Sequence, residues 1–160
     1  MKYCPYCGNE LIKDYVDHVN VMRCTHCDFI DWNTWVNVAC CVIAVNEQNQ
    51  VLLVKLKDTG KLTFPGGYRN LGETLEEAAK REFMEETGGM QVSNLELFRI
   101  YTKDEQRLIW VIYKGKVESG TFNENDETDE MIYVDKYTEI DETLFRGKLT
   151  QQLFKEFFSK

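Results

Sequence analysis

Apolar and polar positions along this chain fall into patterns that divide it into elements. Val36 to Val45 is a nearly continuous apolar run, as expected of a strand covered on both faces. Asn46 to Gln50 makes a polar turn, and Val51 to Leu56 returns as a second strand. After a loop at Lys57 to Lys61, Leu62 to Phe64 leads into a glycine-rich stretch. Leu75, Ala79 and Phe83 then recur at helical spacing, a change of period that marks a helix. Leu95 to Thr102 and Arg107 to Val117 read as strands joined by the charged turn Lys103 to Gln106. Glu118 to Glu130 is a polar, acid-rich loop, and Ile132 to Val134 a short final strand. Leu149, Leu153, Phe154, Phe157 and Phe158 mark an amphipathic C-terminal helix. Its stripe serves core packing or, as the alternative, a dimer contact.

The middle helix has legible ends. Thr74 followed by Glu77 has the spacing of a capping box, and Gly88 and Gly89 supply the C-terminal stop. Glu82, Glu85 and Glu86 fall in and beside the stripe of Leu75, Ala79 and Phe83. Like charges three and four residues apart repel by about 0.2–0.5 kcal/mol per pair, and partial burial costs more unless a cation lies between them. A hard divalent ion such as Mg²⁺ takes carboxylate oxygens and keeps several waters for phosphate oxygens to replace. A solvated acidic face is the alternative, and it places the carboxylates away from Leu75 and Phe83.

The stretch from Phe64 to Gly88 resembles the Nudix box, Gly-x5-Glu-x7-Arg-Glu-U-x-Glu-Glu-x-Gly-U with U a bulky aliphatic. The matching residues are Gly67, Glu73, Arg81, Glu82, Phe83, Glu85, Glu86 and Gly88. Phe83 departs from the aliphatic pattern while staying apolar; Gly89 stands where an aliphatic residue belongs, with Met90 next to it as a candidate for that packing role. The resemblance implies an α/β fold, the α/β/α sandwich of a mixed sheet between helices, from about residue 36 onward. It also implies hydrolysis of the pyrophosphate in nucleoside diphosphate derivatives with Mg²⁺ or Mn²⁺. Carried over, Glu82, Glu85 and Glu86 hold the metal ions, with the carbonyl of Gly66 as a further oxygen. Arg81 orients the carboxylates, and Glu73 is its ionic partner. Within the box, Glu82 or Glu85 is the candidate general base. Outside it, the segment Glu127 to Met131 resembles the late loop that supplies an acid in many members, which favours Glu130, then Glu127. A solvated acidic turn is the alternative for that loop.

Residues 1–33 stand apart from the 34–160 domain. Cys4, Cys7, Cys24 and Cys27 form two Cys-x2-Cys knuckles, the spacing of a zinc ribbon. Four thiolates complete a tetrahedral Zn²⁺ shell and leave no open position for catalysis, so the site is structural. So small a piece needs the metal to fold. His18 and His26 are surplus to four ligands. A ribbon before a Nudix domain resembles the branch related to NADH pyrophosphatases.

Composition narrows the function further. A length of 160 residues suits one ordinary domain with a small appendage. The net charge of −8 argues against nucleic-acid duplexes and anionic membranes, which need a basic face. No apolar run reaches the roughly 18 residues of a membrane span, and Met-Lys-Tyr-Cys-Pro lacks a secretion signal. A cytoplasmic location is therefore expected, which makes two disulfides a poor reading of the knuckles. Cys40 and Cys41, inside an apolar run, read as small buried hydrophobes.

Substrate is less constrained. Pro5 and Pro65 are the only prolines, so the proline-bearing signatures of NADH pyrophosphatases and of many ADP-ribose hydrolases are absent. The diadenosine-polyphosphate tyrosine is also missing where Asp104 to Arg107 stand. Nucleotide sugars, ADP-ribose, dinucleotides and nucleoside triphosphates stay open as small-molecule substrates. Many members of the family are dimers, so a homodimer stays open too. The alternative to an enzyme is a non-catalytic module that senses a nucleotide, its ribbon recruiting a partner. Retention of every box carboxylate argues for catalysis.

Overall fold

The computed structural model describes residues 1–136 and 139–159. The chain divides into two compact units, Met1–Val36 and Asn37–Lys160. The first is an antiparallel meander of β1 (Ile12–Val16), β2 (Val19–Arg23) and β3 (Ile30–Asp31). Asp17 and His18 turn the first hairpin with φ of 47° and 65°, the left-handed pair that matches strand twist in a two-residue turn. Its buried apolar residues are Cys4, Leu11, Val21 and Cys24, with Met22, Cys27 and Phe29 packed on the cluster of Cys4, Leu11 and Cys24.

In the second unit the expected strand pair appears as β4 (Asn37–Val45) and β5 (Val51–Leu56). They belong to a mixed sheet with β8 (Gln91–Lys103), β9 (Leu108–Ser119) and β10 (Thr128–Val134), in the order β10-β5-β4-β9-β8. β4 runs parallel to β9, and the other neighbours are antiparallel. The short β6 (Leu62–Thr63) and β7 (Gly66–Tyr68) pair with β5 and β4.

Strand alternation sorts the apolar run into two cores. Cys40, Val42 and Ala44 face α1 (Leu75–Glu86) in one cluster with Ala78, Ala79 and Phe83. Cys41 and Ile43 join Leu153 and Phe154 of α2 (Lys148–Phe158) in the other. This is the expected α/β/α sandwich, with the C-terminal stripe used for core packing. Cys40 and Cys41 are buried as small hydrophobes, at 0 % and 1 % exposure.

α1 begins as the capping box specifies: the Thr74 hydroxyl accepts from the Glu77 amide, and the Glu77 carboxylate accepts from the Thr74 amide. It ends where the amides of Gly88 and Gly89 reach back to the carbonyls of Glu85 and Met84. Gly88 has φ of 66°, a left-handed position suited to glycine. Met90 is buried in the α1 cluster, so the side chain missing at Gly89 is supplied one residue later. β8 is longer than its apolar pattern suggests because three register shifts along β9 break the alternation. β10 likewise starts early, at Thr128, inside the acid-rich segment. Among the described residues, no helix is long and apolar enough to cross a membrane.

Candidate active site

The site begins with two glycines pressed between a strand and a helix. The Val42 amide donates to the Pro65 carbonyl and the Arg69 amide to the Val38 carbonyl, which fixes Gly66 opposite Cys41 and Gly67 opposite Cys40. Alternation in this antiparallel ladder turns the amide and carbonyl of Gly66 away from β4. The amide donates to Oε2 of Glu86 at 2.8 Å. A Cβ on Gly66 would lie 2.3 Å from the Cys40 carbonyl oxygen and 2.4 Å from the Cys41 Cβ. On Gly67 it would lie 2.3 Å from a Glu82 carboxylate oxygen.

These two neighbours predict different failures. Gly66→Ala is expected to lose about 1–3 kcal/mol of stability, because backbone in a packed sheet cannot retreat; an unchanged urea midpoint would contradict this. Gly67→Ala displaces only the end of a flexible side chain. It is expected to keep its midpoint while losing roughly a hundredfold in kcat through a misplaced Glu82.

Arg81 is the hub of the box. Its Nε donates to Glu73 Oε1 at 2.6 Å and its Nη2 to Glu73 Oε2 at 3.1 Å. Its Nη1 donates to Glu82 at 2.7 Å and Glu85 at 3.1 Å, and Nη2 also reaches the Tyr68 carbonyl at 2.9 Å. Only the planar five-donor fork of arginine can bridge three carboxylates and a strand carbonyl at once. The guanidinium holds the Glu73 carboxyl down at about 2 and has its own pKa raised by Glu73 and Glu82.

Glu86 and Glu82 lie deeper. Glu86 is 4 % exposed and forms no ion pair with any described residue. Burial pushes its pKa up from 4.5 to about 8, with the Glu127 and Glu82 charges adding to the shift and the Gly66 amide opposing it. Burial also raises Glu82, while Arg81 pulls it back. Both line a cleft of 760 Å³ whose other walls include Lys57, Asp58, Asp126, Glu127 and Arg146. Glu85 is more exposed, held by Arg81.

The late loop is tied to the end of α1. The Thr128 hydroxyl donates to the Glu86 carbonyl at 2.6 Å, and the Asn125 side-chain amide donates to the same carbonyl at 3.1 Å. The Glu127 and Thr128 amides in turn donate to the Asn125 side-chain oxygen. This clamp brings Glu127 into the cleft. Glu130, the acid favoured from sequence, is placed elsewhere: it pairs with Lys55 at 3.1 Å and is absent from the cleft wall. The register shift between Thr128 and Glu130 separates the two. Lys57 and Arg146 carry no motif, and only the fold assembles them here.

The donor sets suit two kinds of metal. Buried carboxylates with unused oxygens, beside the outward Gly66 carbonyl, are the hard oxygen ligands that Mg²⁺ or Mn²⁺ takes. The Sγ atoms of Cys4, Cys7, Cys24 and Cys27 all lie within 4.8 Å of one another, with separations of 3.5, 3.4 and 3.8 Å. Zinc–sulfur bonds of ~2.3 Å in a tetrahedron space the sulfurs by ~3.8 Å, whereas a disulfide needs ~2.05 Å. The cysteines are free, and the cluster is consistent with a zinc ribbon. His18 and His26 stand outside it.

Comparison with known proteins agrees with this geometry. Residues 35–155 match the NUDIX domain. The NAD-capped RNA hydrolase NudC of Vibrio atlanticus is 35 % identical over 101 residues, covering 61 % of this chain and 35 % of that protein. NudC of Escherichia coli K12 / DH10B is 35 % identical over 97 residues, covering 59 % and 35 %. The chain thus spans about a third of the length of these curated relatives. A crystal structure of a NUDIX hydrolase from Nitrosomonas europaea superposes with a TM-score of 0.84 at 25 % identity, over 99 % of this chain and 91 % of that one. An ADP-ribose pyrophosphatase from Streptococcus suis shares the fold, with a TM-score of 0.63 at 20 % identity over 78 % and 92 %. With its box residues gathered at one cleft and most of its length matched, this chain belongs to the NUDIX domain family.

Proposed function

We propose that the chain hydrolyses the pyrophosphate bond of a nucleoside diphosphate derivative, with Mg²⁺ or Mn²⁺ held by Glu82, Glu85, Glu86 and the Gly66 carbonyl. The observation that carries this reading is the buried, unpaired carboxylate of Glu86 beside Glu82 in an open cleft. A divalent ion bound there offsets pyrophosphate charge and acidifies a water. Glu127, on its clamped loop, is placed to take the proton of the attacking water, ahead of Glu130. Arg146, which lines the same cleft and forms no ion pair with any described residue, meets the phosphate oxygens there. Arg81 acts through the carboxylates and touches no substrate. Zinc on the four cysteines has a structural role.

The name of the curated relatives supports a dinucleotide-type substrate over a nucleoside triphosphate. It also makes the capped end of an RNA a candidate. The net charge of −8 disfavours long duplexes, whereas a single capped nucleotide needs only the cleft. The test is nucleoside-monophosphate release from NADH, ADP-ribose, nucleotide sugars and nucleoside triphosphates with Mg²⁺ or Mn²⁺. Metal-dependent release from the dinucleotide class is expected; no release from any of them refutes the reading. Arg81→Lys keeps the charge and loses the fork. It should lower kcat/KM by about 10–100-fold, and a variant as active as wild type would remove Arg81 from this role.

A further inference from the structure

Across β7 from the carboxylate cleft lies a second cavity of 370 Å³. The two share Gly66, Gly67, Tyr68 and Arg146 as walls, yet their charge is opposite. Carboxylates line the first; the second is lined by Lys103, Arg146 and Lys148 and by no acidic residue. α2 starts at its edge. Gly147 caps that helix without a side chain, so its leading amides point outward with the positive end of the helix dipole. Thr150, 5 % exposed, also lines the cavity, and its hydroxyl makes no hydrogen bond to any described residue. That hydroxyl is available to donate to an acceptor bound in the cavity. Trp110 adds an aromatic face, with the Lys103 ammonium 5.4 Å from its ring centroid.

We propose that this cavity is a subsite for a phosphate outside the scissile pyrophosphate, carried on the ribose of the substrate nucleotide. The placement rests on the function proposed above, because it puts the pyrophosphate in the neighbouring cleft. No carboxylate is available to hold a metal in the second cavity, so an anion there is met directly by side-chain cations, helix amides and the Thr150 hydroxyl. The two cavities share Gly66, Gly67, Tyr68 and Arg146 as a common wall, so one nucleotide can present its pyrophosphate to the first and a phosphate on its ribose to the second.

The test is calorimetric titration of the full chain, its zinc retained and no Mg²⁺ or Mn²⁺ added, with AMP, adenosine 2′,5′-bisphosphate and adenosine 3′,5′-bisphosphate. At least one bisphosphate is expected to bind about tenfold more tightly than AMP, the scale of one charge-assisted hydrogen bond. The tighter of the two identifies which hydroxyl carries the phosphate. Lys148→Ala, at an exposed position, and Thr150→Val, close in volume, should each bring that ratio below about threefold. Equal binding of all three nucleotides, or a ratio unchanged in both variants, overturns the subsite. No bond is broken in this measurement. A chain that prefers bisphosphates but hydrolyses nothing therefore rejects only the catalytic reading, and the reverse outcome rejects only the subsite.

Discussion

Glu86→Gln is expected to abolish turnover and, with zinc retained and no Mg²⁺ or Mn²⁺ added, to raise the melting temperature. Turnover should fall by about a thousandfold or more, since the amide cannot supply the charge that draws a divalent ion into the cleft. The fold should survive, because the glutamine oxygen can accept the same Gly66 amide that Glu86 accepts at 2.8 Å. The gain in stability follows from the sign of the linkage. The carboxyl is raised from 4.5 to about 8 on folding, so between those values the unfolded chain has given up a proton that the folded chain keeps. Stability is then greatest below the unfolded value and declines as pH climbs towards 8. Gln removes this dependence and should add about 1–3 kcal/mol at pH 8. Added Mg²⁺ should stabilise wild type more at pH 8 than at pH 6, because binding then displaces less proton, and should leave the variant unmoved. Scanning calorimetry of both proteins at the two pH values reads all of this. A fully active variant, or one that melts lower than wild type, would give Glu86 a structural role instead.

Cys7→Ser should empty the ribbon of zinc and unfold it. The buried apolar residues of Met1–Val36 are Cys4, Leu11, Val21 and Cys24, and two of those four are themselves ligands. Without metal the unit has almost nothing left to bury. Metal analysis of the purified protein should find one zinc per chain in wild type and none in the variant, and a protease should cut within residues 1–36 of the variant only. The Asn37–Lys160 unit has its own two cores and should resist. Zinc-free wild type with an intact ribbon would contradict the assignment.

These expectations differ in how far the sequence alone could carry them. The capping box, the glycine stop and the position of Glu86 in the apolar stripe of α1 are local facts, set by spacing along one helix, and they stand in the structure where spacing put them. The apolar run from Val36 to Val45 announced burial on both faces but could not say which helix each face meets; alternation did that only once the sheet existed. Arg146 was out of reach, and Glu127 ranked only second, for another reason. Each sits in a polar loop whose neighbours look the same, and each enters the cleft through contacts distant in sequence, such as the Thr128 hydroxyl on the Glu86 carbonyl. Glu130 was the better match to the late loop by sequence. A register shift stands next to it, and it pairs with Lys55 outside the cleft wall.

The most direct measurement is an anomalous difference map from crystals of the full chain grown with Mn²⁺ and a non-hydrolysable dinucleotide. Density bridging Glu82, Glu86 and the pyrophosphate is the result predicted. Carboxylates still held only by Arg81 and the Gly66 amide, with no ion between them and the nucleotide, would contradict it.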